Sequence, residues 1–212
     1  MFAQTLRKRN ANLTTMDMTL FLALLGFGLV SSITPGPNNL MLLASGANFG
    51  MRRTLPHMIG VSLGFCFMVF VVGLGLAQVF QHFPPLRQAM MVVAVAYMLW
   101  LAWKIAHAGA PKEGAAGGKP ITFLQAVAFQ WVNPKAWIMA VGAQTTYAQG
   151  ASWTAAAFVG LGFLIVNFPA ITLWALLGTE LRRFLTNPQR LRIFNWTMAS
   201  LLVASLIPIL FH

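Results

Sequence analysis

Charge is what this sequence has least of. Only three of its 212 residues are acidic, and charged residues of both signs make up 8%, against about 25% in an ordinary soluble domain. Three acids and fourteen bases cannot clothe the exterior of a soluble fold of this size. Cysteine is nearly missing too. Cys66 stands alone, which excludes a disulfide scaffold. Polar stretches are scarce, and a chain that is 58% hydrophobic is the opposite of a disordered one. The acids Asp17, Glu113 and Glu180 are too scattered to form a carboxylate pair. His57, His82, His107 and His212 lack metal-ligand spacing. No phosphate-binding loop is present, so ATP-driven work would need another subunit. These absences argue against an enzyme and call for no cofactor or metal.

What is present is apolar sequence in long runs, which a lipid solvent accommodates. The chain reads as an all-α integral membrane protein. The net charge of +11 does not make it a nucleic-acid binder, because the bases sit in short islands between uncharged runs rather than on one polar face. They have the loop pattern of a membrane protein. About 20 apolar residues cross a bilayer. The first uncharged run, Met18 to Met51, is too long for one straight span and is broken at Thr34-Pro35-Gly36-Pro37-Asn38-Asn39. A second runs from Thr54 to Leu86 and a third lies between Arg87 and Lys104. A polar linker, residues 107–121, follows. Phe123 to Tyr147 is apolar again but interrupted by Val132-Asn133-Pro134-Lys135. Trp153 to Thr179 and Phe194 to Phe211 complete six expected spans. Residues 18–106 and 122–212 are then two three-helix repeats. Residues 1–17 read as an extension, with Met16 and Met18 standing just before the first span. Arg7-Lys8-Arg9 is no signal-peptide start, since no small-residue cleavage site follows in place.

The two halves echo each other. Pro35 and Pro134 break the first helix of each, and the pentad Val61-Ser62-Leu63-Gly64-Phe65 answers Val159-Gly160-Leu161-Gly162-Phe163 at four of five positions. Three spans per half is an odd number, so the second half starts on the opposite side of the membrane and the repeats must be inverted. Paired interrupted helices in inverted halves point to a transporter's binding site. Arg52, Arg53, Lys104, Lys112, Lys119 and the arginines from Arg182 to Arg192 fall on one side. That side is expected to be cytoplasmic, which places both termini outside.

Proline removes a donor, so the break at Thr34 to Asn39 frees carbonyls near Val30 to Ile33. Pro37 suits the first turn of a restarted helix. Asn38 and Asn39 beside it add polar groups, and a helix N-terminus there attracts a carboxylate. The plain alternative is a packing kink. Lys135 lies in an apolar stretch, where a cation marks function or a hidden anion, unless it snorkels to the interface. Gln130, Gln144, Thr145 and Thr146 line a pathway or only satisfy neighbours. Asn167, next to Pro169, is a third polar site or a packing bond. Gly60 and Gly64 read as close helix packing, and the tryptophans as interface anchors.

In combination and position, the TPGPNN run closing the first span, Arg52-Arg53, and Asn133-Pro134-Lys135-Ala136 opening the second half resemble the LysE/RhtB family of amino-acid exporters. The resemblance runs over nearly the whole chain from about Met18. The stretches from Trp100, Lys119 and Phe129 are similar to the cysteine/O-acetylserine exporter group. The resemblance implies an inner-membrane secondary exporter of amino acids or close derivatives, driven by an ion gradient. No residue identifies the coupling ion, a proton being one candidate. The matching motif positions are Pro35, Gly36, Pro37, Asn38, Asn133, Pro134 and Lys135, with Asn39 and Gln144 added as candidate substrate contacts. A homodimer is a class expectation. The other reading is a membrane scaffold or assembly subunit, which would have no reason to place two half-helix ends and a lysine in matching positions.

Overall fold

Helices account for all the regular structure among the described residues, and their breaks decide where polar groups can meet. The computed structural model describes residues 2–76, 82, 84–108, 119–150 and 152–207. We number the helices α1 (Phe2–Ile33), α2 (Pro37–Phe49), α3 (Met51–Val71), α4 (Pro84–Ala106), α5 (Phe123–Val132), α6 (Pro134–Tyr147), α7 (Trp153–Leu181) and α8 (Pro188–Ala204). A π-helical turn, Val72–Leu76, extends α3. The linker bases and acid at Lys112 and Glu113, and the last five residues, lie outside the described residues.

Among the described residues, three helical segments are long and apolar enough to cross a membrane: Met51–Leu76, Gln88–Ala106 and Trp153–Leu181. A fourth is built from Met18–Ile33 and Pro37–Phe49, two helices bent by 57° at the break between them. The expected span at Phe123 to Tyr147 is likewise two helices, each too short to cross alone, meeting at Asn133. Val92, Leu124 and Ile138 are 70%, 73% and 75% exposed. Apolar exposure on that scale suits a lipid surface rather than water.

Small residues let the helices close on one another. Gly60 and Gly64 of α3 face α5, where an added Cβ would stand 2.5 Å from the Phe123 carbonyl oxygen and 2.8 Å from Val127 Cα. Gly28 of α1 and Gly162 of α7 face each other's helices. Gly46 of α2 lies against the backbone of α7 at Ala175, and Gly178 of α7 against α2 at Leu43. Thus α1 packs on α7, and α5 on α3. The turn from α2 to α3 is a single residue, Gly50, at φ 75. That left-handed conformation favours glycine. Thr54 clips the corner, donating to the Gly50 carbonyl at 2.9 Å and bonding Ser45 at 2.9 Å. The cores on either side of the helix breaks are aliphatic and aromatic. Phe65 and Phe163, the matching ends of the two pentads, meet edge to face at 5.2 Å.

The glycine contacts carry a prediction. Gly178→Leu forces a side chain into the α2 backbone and should destabilise the fold by about 1–3 kcal/mol or more. Gly26→Ala, with open space beside it, should be silent. Thermal unfolding of the detergent-purified variants, followed by size-exclusion recovery, measures both.

Candidate functional site

The two breaks face each other. In the first, α1 ends at Ile33 and α2 starts at Pro37. Pro35 has no N–H for the Ser31 carbonyl, and Pro37 has none for the Ile33 carbonyl. Such carbonyls need partners when they leave water, and they find them. Ser31 accepts from the Thr34 hydroxyl at 2.9 Å. Ser32 accepts from Asn39 Nδ2 at 2.8 Å, which also donates to Thr34 at 2.7 Å. Ile33 accepts from the indole of Trp174 at 3.0 Å. The Lys135 ammonium crosses from the other break and donates to the Thr34 carbonyl at 2.6 Å, the Thr34 hydroxyl at 2.8 Å and the Pro35 carbonyl at 3.3 Å. Its stem passes Gly36, where any Cβ would stand 2.7 Å from Lys135 Cδ. Gly36 is extended, at φ −177, so close approach rather than backbone angle makes glycine suitable.

The second break is built alike. Pro134 takes the first position of α6, as Pro37 does in α2. The structural counterpart of Pro134 is therefore Pro37 rather than Pro35, because Pro35 precedes the restarted helix. Asn133 caps α6 by accepting from the Lys135 N–H at 3.1 Å. Asn38, in the same position of α2 as Lys135 in α6, reaches across to Gln130 near the end of α5. The two amides bond reciprocally at 2.9 and 3.1 Å. Each break therefore sends one side chain to the other.

Between the breaks lies a cavity of about 20 Å³, lined among others by Ser32, Gly36, Asn38, Asn39, Asn133 and Lys135. It has room for about one water, so an amino acid enters only if the site opens. Asn167 and Ser32 line this cavity, and Ser62 reaches it only through Asn167. Asn167 of α7 donates to the Ser32 hydroxyl at 3.3 Å and accepts from Ser62 at 3.2 Å. Ser32 lies among the carbonyls the sequence marked as freed, whereas Ser62 carried no polar signal of its own. Phe65 forms part of the apolar wall. The α2 end, with Gly36 at its cap, has no side-chain cap, so it is the end open to an anion.

Gln144 is not brought to this cavity. It is buried where α3 turns π-helical, donating to the Val69 carbonyl at 2.8 Å and to Ala156 at 3.2 Å, beside Gly73. A π turn frees a carbonyl from its usual partner, and Gln144 supplies one. Thr145 bonds within its own helix. No His, Cys, Asp and Glu cluster able to hold a metal exists among the described residues.

The profile of the LysE type translocator family matches residues 29–205, taking in both breaks. The chain belongs to this family. It is a membrane transporter, not an enzyme. It is 34% identical over 193 residues to the cysteine/O-acetylserine efflux protein of Escherichia coli strain K12, covering 89% of this chain and 96% of that one. It is 30% identical over 191 residues to the protein of that description from Klebsiella pneumoniae, with 89% and 95% covered. No solved structure matches it.

The Asn38–Gln130 bridge is testable as a cycle. Asn38→Ala or Gln130→Ala alone leaves a part-buried amide without its partner, at a cost of about 1–3 kcal/mol. The double variant should cost less than the sum, with a coupling of about 0.5–3 kcal/mol in thermal unfolding.

Proposed function

We propose that this protein is a multi-pass secondary transporter of the bacterial inner membrane that exports amino acids or close derivatives, cysteine and O-acetylserine first among them. The observation that carries this reading is the pair of proline-opened helix ends facing one small polar cavity, with the Lys135 ammonium between them. An amino acid carries one carboxylate and one ammonium. The α2 end at Asn38 and Asn39 suits the carboxylate, and the carbonyls at the end of α1 suit the ammonium. Pro35, Gly36 and Pro37 create those two ends. Asn133 and Pro134 set the position of Lys135.

The chain is organised as two inverted three-helix repeats giving six spans. Support comes from equivalent features crossing in both directions: Lys135 to the end of α1, and Asn38 to the end of α5. Equivalent residues that touch lie near a two-fold axis, and Phe65 and Phe163 touch. Alternating access then follows from rocking one half against the other about the cavity. A scaffold subunit would gain nothing from such a cavity.

Counterflow of labelled cysteine and O-acetylserine in proteoliposomes tests the assignment. Exchange is expected in the wild type. Lys135→Ala should lower it by at least about tenfold, since a charged hydrogen bond contributes about 1.5–3 kcal/mol. Lys135→Arg should keep part of it, and Lys112→Ala should change little. An unchanged rate and affinity for Lys135→Ala at normal membrane abundance would make the lysine a snorkelling residue and remove it from the site.

A further inference from the structure

We infer that the Lys135 ammonium is a tethered stand-in for the substrate's own ammonium, holding the Thr34 and Pro35 acceptors until a substrate takes them. The inference rests on the amino-acid exporter reading and assigns a seat within that site.

The acceptor set is what an ammonium asks for. It has two backbone carbonyls and one hydroxyl at 2.6, 3.3 and 2.8 Å from one nitrogen, matching the three donors of a primary ammonium. These acceptors exist because the first break opened the helix. Lys135 reaches them from the other half of the molecule, with its stem laid along Gly36. No carboxylate is present at the contact: the charge is met by dipoles alone. Among the described residues, the cavity lining contains no other titratable group.

Two consequences follow. With Lys135 seated, the cavity beside it admits about one water, so a substrate's ammonium takes the seat only by displacing the lysine. When a substrate enters, its ammonium replaces the lysine's on the same acceptors, one cation for one. The displaced Lys135 is then free to meet the substrate's carboxylate near the α2 end. The carbonyls are never left without a donor, and a solute lacking either charged group cannot complete the exchange. N-acylated amino acids, which have no ammonium, are therefore poor substrates, and so are simple amines, which leave the displaced lysine unpaired.

The test uses the full-length purified protein and n-propylammonium, which approximates the lysine side chain that Lys135→Ala removes. Propylammonium should raise the unfolding temperature of Lys135→Ala and leave the wild type unmoved. In Lys135→Ala it should compete with cysteine, weakening cysteine binding about tenfold at ten times its own dissociation constant. If it strengthened cysteine binding, Lys135 would be a fixed cap that the amine restores, and the inference would be overturned. No effect on cysteine binding, or no stabilisation of Lys135→Ala, would overturn it too. Should Lys135→Ala not be recovered folded, Lys135→Met retains most of the stem, and ammonium ion replaces propylammonium in the same two readings. A wild type that exchanges no amino acid would defeat the exporter assignment instead. The stabilisation by propylammonium would still decide whether the seat accepts an ammonium.

Discussion

A backbone carbonyl inside a membrane must have a donor, and two prolines two residues apart deny donors to the end of α1. The carbonyls there and in the turn that follows, which lie outside a continuing helix, are met by side chains. Asn39 turns back from the restarted helix to serve Ser32 and Thr34. Trp174 reaches from α7 to Ile33, and Lys135 arrives from the other half to serve Thr34 and Pro35. The break is completed partly from beside it, by Thr34 and Asn39, and partly from the far half of the chain, by Trp174 and Lys135. It can serve as a binding site because donors supplied by side chains can be exchanged.

The rest of the architecture holds the two breaks opposite each other. Glycines at 46, 60, 64 and 178 bring neighbouring helices to backbone contact, and Gly28 and Gly162 admit the side chains of Val166 and Leu24. This is how membrane helices associate when burial from water contributes little. Asn48 and Asn195 bond reciprocally at 2.7 and 2.9 Å, tying α2 to α8. Asn167 links Ser32 on α1 to Ser62 on α3. Polar groups thus form bridges between helices, and the apolar residues face either one another or the lipid.

The breaks themselves were legible in the sequence because proline acts locally. Pro37 and Pro134 both open helices, as their place after a break suggests, and Gly60 and Gly64 pack as a small-residue stripe should. Lys135 was conspicuous as a cation among apolar residues, but its partner was not, because Thr34 lies in the other half of the chain. The Asn38–Gln130 bridge was hidden for the same reason. Trp174 read as an interface anchor, and only the fold shows its indole closing a helix end. Gln144, named as a candidate substrate contact, was open between lining a pathway and satisfying neighbouring helices, and it does the second. Its position depends on the π turn at Val72–Leu76, whose only local trace was Gly73 and Gly75. Three segments long enough to cross, with a fourth in two bent pieces, also show that run length alone does not count spans where helices are interrupted.

The most direct measurement is an experimental structure of the full-length protein in lipid with cysteine or O-acetylserine bound. The substrate is expected between the ends of α2 and α6, its ammonium on the Thr34 and Pro35 carbonyls and its carboxylate between Asn38 and a relocated Lys135. A substrate bound instead in the separate cavity that Ser45, Asn48, Lys104 and Lys119 line, with Lys135 still seated on Thr34 and the break unchanged, would contradict it.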